Sequence, residues 1–293
     1  MIPRRIGLGD LAAEFPGNLA VWSTRSARSQ FADLPLVPVG TIPKSTDVLL
    51  AIGGGTIIDQ AKWAAKGADS DISIVALPTL WGSGAEASPI VVLNGMDGKE
   101  IHIDAHLLPD AIIYVEGISE SAPPDLLRWA SADVWAHALE GFLSPLADDE
   151  TRAMLADVIK NLLHLAPTPA FERDWFEQSA LACCLQAQSS VGLAHGIAHQ
   201  VEFASGFGHA RVISAVLPTV LAMHIETDRY AELLSAYHLE GDAINDCVTR
   251  LAKPDDASAL APLISDQWMA ILRDPCTRTN GYLVRRQAVE RFA

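Results

Sequence analysis

The chain has 293 residues, a net charge of −15 and 49% hydrophobic residues, which is long enough for two domains and apolar enough to bury a sizeable core. The acidic balance argues against nucleic acid or an anionic membrane as partner. With no run of about 20 apolar residues and no signal-peptide pattern in MIPRRIGLGDLAAEF, the sequence predicts a soluble, cytoplasmic protein. The four cysteines, Cys183, Cys184, Cys247 and Cys276, show no CxxC spacing, and two are adjacent in an apolar run. They read as reduced core thiols rather than a disulfide framework.

In chain order, Asn18 to Trp22 and Asp47 to Ile52 are short apolar runs, as buried parallel strands are. The second runs into Gly53-Gly54-Gly55-Thr56 and then TIIDQAKWAAKGA, where Ile57, Ile58, Ala61 and Ala65 fall at helical spacing. This is strand, glycine turn, helix. A third strand, Ile72 to Leu77, ends at Pro78-Thr79 and a loop of small residues, WGSGAEASP; β character resumes at Ile90 to Leu93. Asn94-Gly95-Met96-Asp97-Gly98 suits a hairpin turn, and Asp110 to Val115 is one more strand. Ser121-Ala122-Pro123-Pro124 then punctuates the chain.

Beyond it the texture is helical: Leu126 to Leu143, Asp148 to Leu165, Asp174 to Ser190 and further Ala- and Leu-rich stretches toward the C-terminus. Pro167, Pro169, Pro218, Pro254 and Pro262 are expected to interrupt or separate these helices. The predicted fold is therefore an α/β domain with a Rossmann-like, mostly parallel sheet (1–122) followed by an all-α domain (123–293). A ligand cleft is expected between them, at the C-terminal ends of the strands.

The GGGT turn offers free backbone N–H groups at a helix N-terminus, where the macrodipole favours an anion such as a pyrophosphate; taken alone it can equally be a tight turn. It is not GxGxxG, and no Walker lysine follows. The loop Pro78 to Glu86 again sets small residues and hydroxyls past a strand end. Trp81, between them, is an odd choice for mere exposure. Trp81, Trp135 and Phe207 hint at an apolar substrate wall, although aromatics near a cleft are more often packing.

Two pairs, Asp133/His137 and His195/His199, lie four residues apart and so share a helix face, and His209 follows. Nitrogen and oxygen donors without a thiolate suit Fe(II), Zn(II), Co(II) or Mn(II). Spacing alone does not separate His199 from His209 as a ligand. Glu140, three after His137, is either a support behind the ligands or a solvated residue. His102, His106, His164, His224 and His238 belong to no such motif.

These motifs together resemble the iron-containing, or group III, alcohol dehydrogenases, within the superfamily of glycerol dehydrogenase and dehydroquinate synthase. GGGTIIDQAK looks like the family's GGGSxxDxAK, PTLWGSGAEAS like PTTxGTGSExT, DVWAHALEGFLS like DAxxHAxEA, and LLPDAIIYVEG is similar to the strand before the helical domain; HGIAH-x9-H completes the order. The resemblance implies Asp133, His137, His195 and His209 as ligands of Fe(II) or Zn(II), with His199 facing substrate and nicotinamide as the catalytic group. It implies Gly53, Gly54, Gly55 and Thr56 around the pyrophosphate, Asp59 near the nicotinamide end, and Thr79 and Ser83 on the cofactor.

Two polar positions of the family pattern are here Leu80 and Ala85, and only about 25 residues separate the first strand from the GGGT strand, too few for the usual elements. After the first strand, where members preferring NAD often carry an aspartate, the chain reads Trp22-Ser23-Thr24-Arg25-Ser26. An arginine with small hydroxyls suits a 2′-phosphate, favouring NADP(H) over NAD(H), though Arg25 also fits a solvated loop. The implied activity is a metal-dependent NAD(P)(H) oxidoreductase interconverting an alcohol and an aldehyde or ketone, leaning to NADPH-dependent aldehyde reduction, with a homodimer as the expectation the resemblance brings. The alternatives are a redox-initiated cyclase or oxidative decarboxylase of the same superfamily and a non-catalytic binding subunit. A cyclase would need a phosphate-binding cluster of cations, and near the motifs only Lys99, Arg128 and Arg211 are scattered.

Overall fold

The computed structural model describes residues 2–68, 71–95 and 99–292. Five parallel strands form one sheet in the order β1-β7-β4-β3-β2, with β1 Arg4–Arg5, β2 Leu19–Ser23, β3 Val48–Gly53, β4 Ser73–Pro78 and β7 Ala111–Ile112. β5 (Ile90–Asn94) and β6 (Lys99–Ile103) pair separately as an antiparallel hairpin; the turn expected between them lies partly outside the described residues. The helices are α1 (Leu11–Glu14), α2 (Gly55–Lys66), α3 (Pro124–Leu143), α4 (Asp149–Leu162), α5 (Glu172–Ser189), α6 (Leu193–Ser205), α7 (His209–Ile225), α8 (Asp228–Tyr237), α9 (Gly241–Leu251), α10 (Pro254–Ile271) and α11 (Pro275–Arg278). The α/β start and helical remainder match the expected fold class.

The strands are apolar at consecutive positions because both faces of the sheet are covered. Ala20, Trp22, Leu49, Ala51, Ile74 and Ala76 face α2, packing on Ile58, Ala61 and Ala65. Their neighbours Val21, Leu50, Ile52, Val75 and Leu77 share one continuous apolar cluster with Leu127, Ala130 and Val134 of α3. Burial on that second face seats the helical half against the sheet and brings α3 to the strand ends.

Two expectations are corrected. Asp110 to Val115 supplies only the two paired residues of β7, flanked by the bonds Asp110 N to Ile74 O and Ile113 N to Ala76 O; beyond it the N–H groups of Gly117 and Ser119 donate to the buried Glu172 carboxylate, each at 2.7 Å. Pro218 and Pro262 lie inside α7 and α10 without ending them: burial of Val216, Leu217, Val220, Leu260 and Ile264 outweighs one lost backbone hydrogen bond. Arg4–Arg5 adds an edge strand that composition did not suggest. Between β2 and β3 the chain makes only turns and a single bridge, Val21 to Leu36, where a parallel pair usually has a helix. Buried Ala27 and Phe31 cover the sheet there instead.

Among the described residues no helix is long and apolar enough to cross a membrane. Among the described residues the four cysteines form no disulfide, and three of them are buried.

Candidate metal centre and nucleotide turn

Asp133, His137 and Glu140 recur along α3 at positions i, i+4 and i+7, so one face of a buried helix carries all three. Glu140 reaches across to the start of α6, where Gly192, the residue before the first turn, contributes no side-chain cap. Its carboxylate accepts hydrogen bonds from Gly192 N at 2.9 Å, Ala194 N at 2.6 Å and His195 Nδ1 at 2.6 Å. It thus caps α6 from outside and fixes His195 with its Nε2 bare. His209 opens α7, and its Nδ1 lies 2.8 Å from Glu202 Oε2 on α6. Lys99 of β6 pairs with the same Glu202. The His137 ring hydrogen-bonds the Gly82 carbonyl.

Each ring therefore has one nitrogen committed to the protein, and the other nitrogens converge on one oxygen. Asp133 Oδ1 lies 4.0 Å from His137 Nδ1, 3.7 Å from His195 Nε2 and 3.9 Å from His209 Nε2. Asp133 Oδ1, His137 Nδ1 and His195 Nε2 are buried without a hydrogen-bond partner, which is costly unless something else satisfies them. Tetrahedral bonds of about 2.0–2.1 Å give donor separations of about 3.3 Å; Asp133, His195 and His209 offer atoms all within 4.8 Å of one another, and His137 adds its Nδ1 at 4.0 Å from Asp133 Oδ1.

Burial drives the pKa of His195 well below its ordinary value, helped by the neighbouring His137 and His209 rings, and burial lowers that of His137. Neutral imidazole is the ligating form. Burial opposes protonation of His209 as well, but the Glu202 hydrogen bond and the Asp133 charge outweigh it and raise its pKa. The donor set fits a divalent ion.

His199 stands beside this group, its ring 5.8 Å from that of His209 and 6.4 Å from that of His195. Its Nδ1 lies 3.4 Å from Asp274 Oδ2 rather than toward Asp133.

The nucleotide turn sits at the C-terminal end of β3. No side chain caps α2, whose first turn has Gly54 before it and exposed Thr56 within it, and nothing lies within 4 Å of where a Cβ on Gly54 would be. That edge is open to an anion, as a pyrophosphate requires. A Cβ on Gly55 would stand 2.6 Å from Ser83 Oγ, so the turn and the second loop nest only because Gly55 has no side chain. Thr79 N donates to Gly53 O at 3.1 Å. Gly82, at φ +122°, backs onto the Ala130 backbone of α3 and donates its N–H to Ser179 Oγ at 3.0 Å. The loop 79–84 thus touches the glycine turn with Ser83 and a metal-ligand candidate with Gly82, which joins the two half-sites. Arg25 is exposed in the turn after β2, the strand adjoining β3.

Other sequence candidates are committed elsewhere. Asp59 is buried, with Oδ1 on Lys62 Nζ at 2.9 Å and Oδ2 accepting from Val92 N at 3.0 Å. Lys62 also donates to the carbonyls of Ala85 and Ile90, so the pair ties α2 to the loop and hairpin, and both Asp59 oxygens are occupied by protein. Trp81 is a core residue, stacked on Trp175 with its Nε1 on Ser131 Oγ at 2.9 Å, and Trp135 is equally buried; neither is a substrate wall. Phe207 lies under the Arg211 guanidinium, 3.6 Å from ring centre to Cζ. Glu202, Lys62, Asp274 and Cys276 were not singled out from the sequence. Glu202 shares a helix with two of the histidines, which was a usable signal; a lone DPC far down the chain was not.

The sequence model of the iron-containing alcohol dehydrogenases matches residues 42–115. The 1-propanol dehydrogenase PduQ of Salmonella typhimurium is 29% identical over 246 residues, covering 78% of this chain and 63% of that protein. The PduQ of Citrobacter freundii is covered to 59%, so the chain spans less than two thirds of these relatives' length. A 4-hydroxybutyrate dehydrogenase of Cupriavidus necator is 23% identical, with 91% of this chain and 79% of that protein covered. Among solved structures, an iron-containing alcohol dehydrogenase from Thermococcus thioreducens superposes with a TM-score of 0.81 at 17% identity, covering 99% of this chain and 96% of that one. A sulfoacetaldehyde reductase from Bifidobacterium kashiwanohense in complex with NAD+ gives the same score, identity and coverage. At these identities the structural likeness speaks to the fold. The motif order, the matched segment and the relatives agree that the chain is similar to the iron-containing alcohol dehydrogenases.

Proposed function

We propose that the protein is a metal-dependent NAD(P)(H) oxidoreductase that interconverts an alcohol and an aldehyde or ketone, working as an NADPH-linked aldehyde reductase. The observation that carries this reading is the convergence of three partnerless buried donors and His209 on one point, beside an uncapped glycine turn. Asp133, His137, His195 and His209 would hold the ion, with Fe(II) favoured by the family. When bound, the ion supplies Lewis acidity to a substrate oxygen and the nicotinamide supplies or accepts the hydride.

The chain's own residues do the rest. Glu140 and Glu202 hold two ligand rings in one tautomer, so the site is preorganised at no cost during reaction. The free N–H groups at the start of α2 bind the pyrophosphate, and Arg25 reads the 2′-phosphate. His199, with Nδ1 toward Asp274, presents Nε2 for proton exchange with the substrate oxygen, directly or through water.

A phosphate-binding cyclase is less favoured. Lys99 is paired with Glu202, Arg128 with Asp125 at 2.7 Å and Arg211 with Asp256 at 2.6 Å, so these cations are already neutralised.

The test is a fluorescence titration of NADPH and NADH into protein reconstituted anaerobically with Fe(II), followed by aldehyde-dependent oxidation of whichever binds. NADPH binding with turnover is expected. Failure of both nucleotides to bind would sink the dehydrogenase reading despite the metal donors.

A further inference from the structure

A second cluster of ligating atoms stands behind the first. His199 Nδ1 lies 3.4 Å from Asp274 Oδ2 and 3.9 Å from Cys276 Sγ, and the three donors are all within 4.8 Å of one another. Asp274 and Cys276 sit two residues apart where the chain enters α11, and α11 packs on α6, the helix of His199. Both are buried. Asp274 uses Oδ1 to accept from Cys276 N at 2.8 Å, while Oδ2 takes a hydrogen bond from Gln200 Nε2 at 3.1 Å and faces His199 Nδ1; the lone pair turned to His199 is the one an ion would take.

The geometry is that of a small tetrahedral ion. Bonds of about 2.0–2.1 Å to nitrogen and oxygen and about 2.3 Å to sulfur imply an N···O edge of about 3.3 Å and an N···S edge of about 3.6 Å. The nitrogen and oxygen are already at that edge, the sulfur stands a few tenths of an ångström beyond its edge to nitrogen, and all three atoms lie within 4.8 Å of one another. Three protein donors leave a fourth position for water. What distinguishes this set from the Asp133 centre is sulfur, and a thiolate selects Zn(II) or Cd(II) over the harder Fe(II) and Mn(II).

We propose that His199, Asp274 and Cys276 form a second, soft-metal site, and that its occupation by a Zn(II)-type ion inhibits the enzyme. On binding, the Cys276 thiol gives its proton to solvent, the thiolate and His199 Nδ1 donate electron pairs to the ion, and the remaining ring proton resides on Nε2. No oxidation or reduction is involved. A ring ligated at Nδ1 and protonated at Nε2 has no lone pair with which to accept a proton, so His199 stops relaying. The inhibitory role rests on the proposed dehydrogenase function; the binding site does not.

The test is a Cd(II) titration of the metal-free full-length protein, following bound ions per chain and the ultraviolet cadmium–thiolate charge-transfer band. The wild type should bind two ions with one thiolate band, Cys276→Ser one ion with no band, and Asp133→Asn should lose the other ion and keep the band. A wild type without the band, or a band that survives in Cys276→Ser, overturns the site. In the Fe(II)-loaded enzyme, Zn(II) should inhibit the wild type at concentrations lower than those needed for Cys276→Ser by more than the roughly 10–100-fold that loss of an outer hydrogen bond costs in metal affinity. Asp274→Asn, which keeps the packing, should shift inhibition in the same direction. Equal Zn(II) sensitivity would mean displacement at the first centre and would overturn the inhibitory role. Absence of turnover with any aldehyde would count against the dehydrogenase reading and leave the cadmium result to decide the site.

Discussion

Glu140 Oε2 and His195 Nδ1 are 2.6 Å apart, and the same carboxylate holds the Gly192 and Ala194 amides at the start of α6. One buried side chain therefore orients a metal-ligand candidate and caps the helix that carries it. Glu140→Gln keeps the shape but cannot accept all three bonds. It is expected to weaken metal affinity about 10–100-fold and to lower thermal stability as well. Competition against a chelator measures the first and a melting curve the second; unchanged affinity would show that His195 needs no such support.

His209 differs from the other three donors in being partly open, with 32% of its side chain exposed, so its removal should leave the fold intact. His209→Ala is expected to lose bound metal and activity together, by roughly 100-fold or more, the upper end of what even a supporting residue costs. Metal analysis alongside turnover checks this. Full metal content with retained turnover would remove His209 from the ligand set.

Arg25 is exposed where β2 ends beside the glycine turn. A charge-assisted contact to a 2′-phosphate is worth about 1.5–3 kcal/mol, so Arg25→Ala should weaken NADPH binding by roughly 10- to 100-fold and leave NADH binding unchanged. Parallel fluorescence titrations of both nucleotides read this directly. An equal effect on the two would place Arg25 away from the ribose.

Glu86 is buried with Oε1 lacking a partner, and burial pushes its carboxyl from 4.5 up to about 7. Because the folded state holds this proton more tightly than the unfolded chain does, the stabilisation is full below pH 4.5, declines between there and about 7, and is absent above. The swing is about 3 kcal/mol. Glu86→Gln should therefore gain stability relative to the wild type on going from pH 5 to pH 8. Burial pushes His224 down to about 4, which gives an opposite slope that is common to both proteins and cancels in the difference. Denaturant unfolding at the two pH values tests the sign.

Lys62 is buried and joins Asp59 to the carbonyls of Ala85 and Ile90. Lys62→Met strands the Asp59 carboxylate and is expected to cost about 3–5 kcal/mol, whereas the double variant with Asp59→Asn should recover a good part of it. A double-mutant cycle by denaturant unfolding reports the coupling; additive losses would mean the two residues stabilise separately.

Much of this protein was determined by its sequence because the relevant signals are local. Val48 to Gly53 followed by Gly54 and Gly55 is a strand, a turn and a helix in one stretch of chain, and its period and its glycines are set by neighbours a few residues away. Asp133 and His137 share a face whatever α3 packs against, because helical geometry places i and i+4 together. The family pattern separated His209 from His199 where spacing could not. The tertiary structure decided what depends on partners remote in the chain. Glu172 holds the Ser119 amide from 53 residues away, packing against neighbouring helices gives α7 and α10 enough buried contact to carry Pro218 and Pro262, and Lys62 takes Asp59 into a structural pair. Asp274 and Cys276 reach His199 only because α11 folds back onto α6, more than 70 residues along the chain. Sequence periodicity reports which face a residue occupies; only packing decides what that face meets.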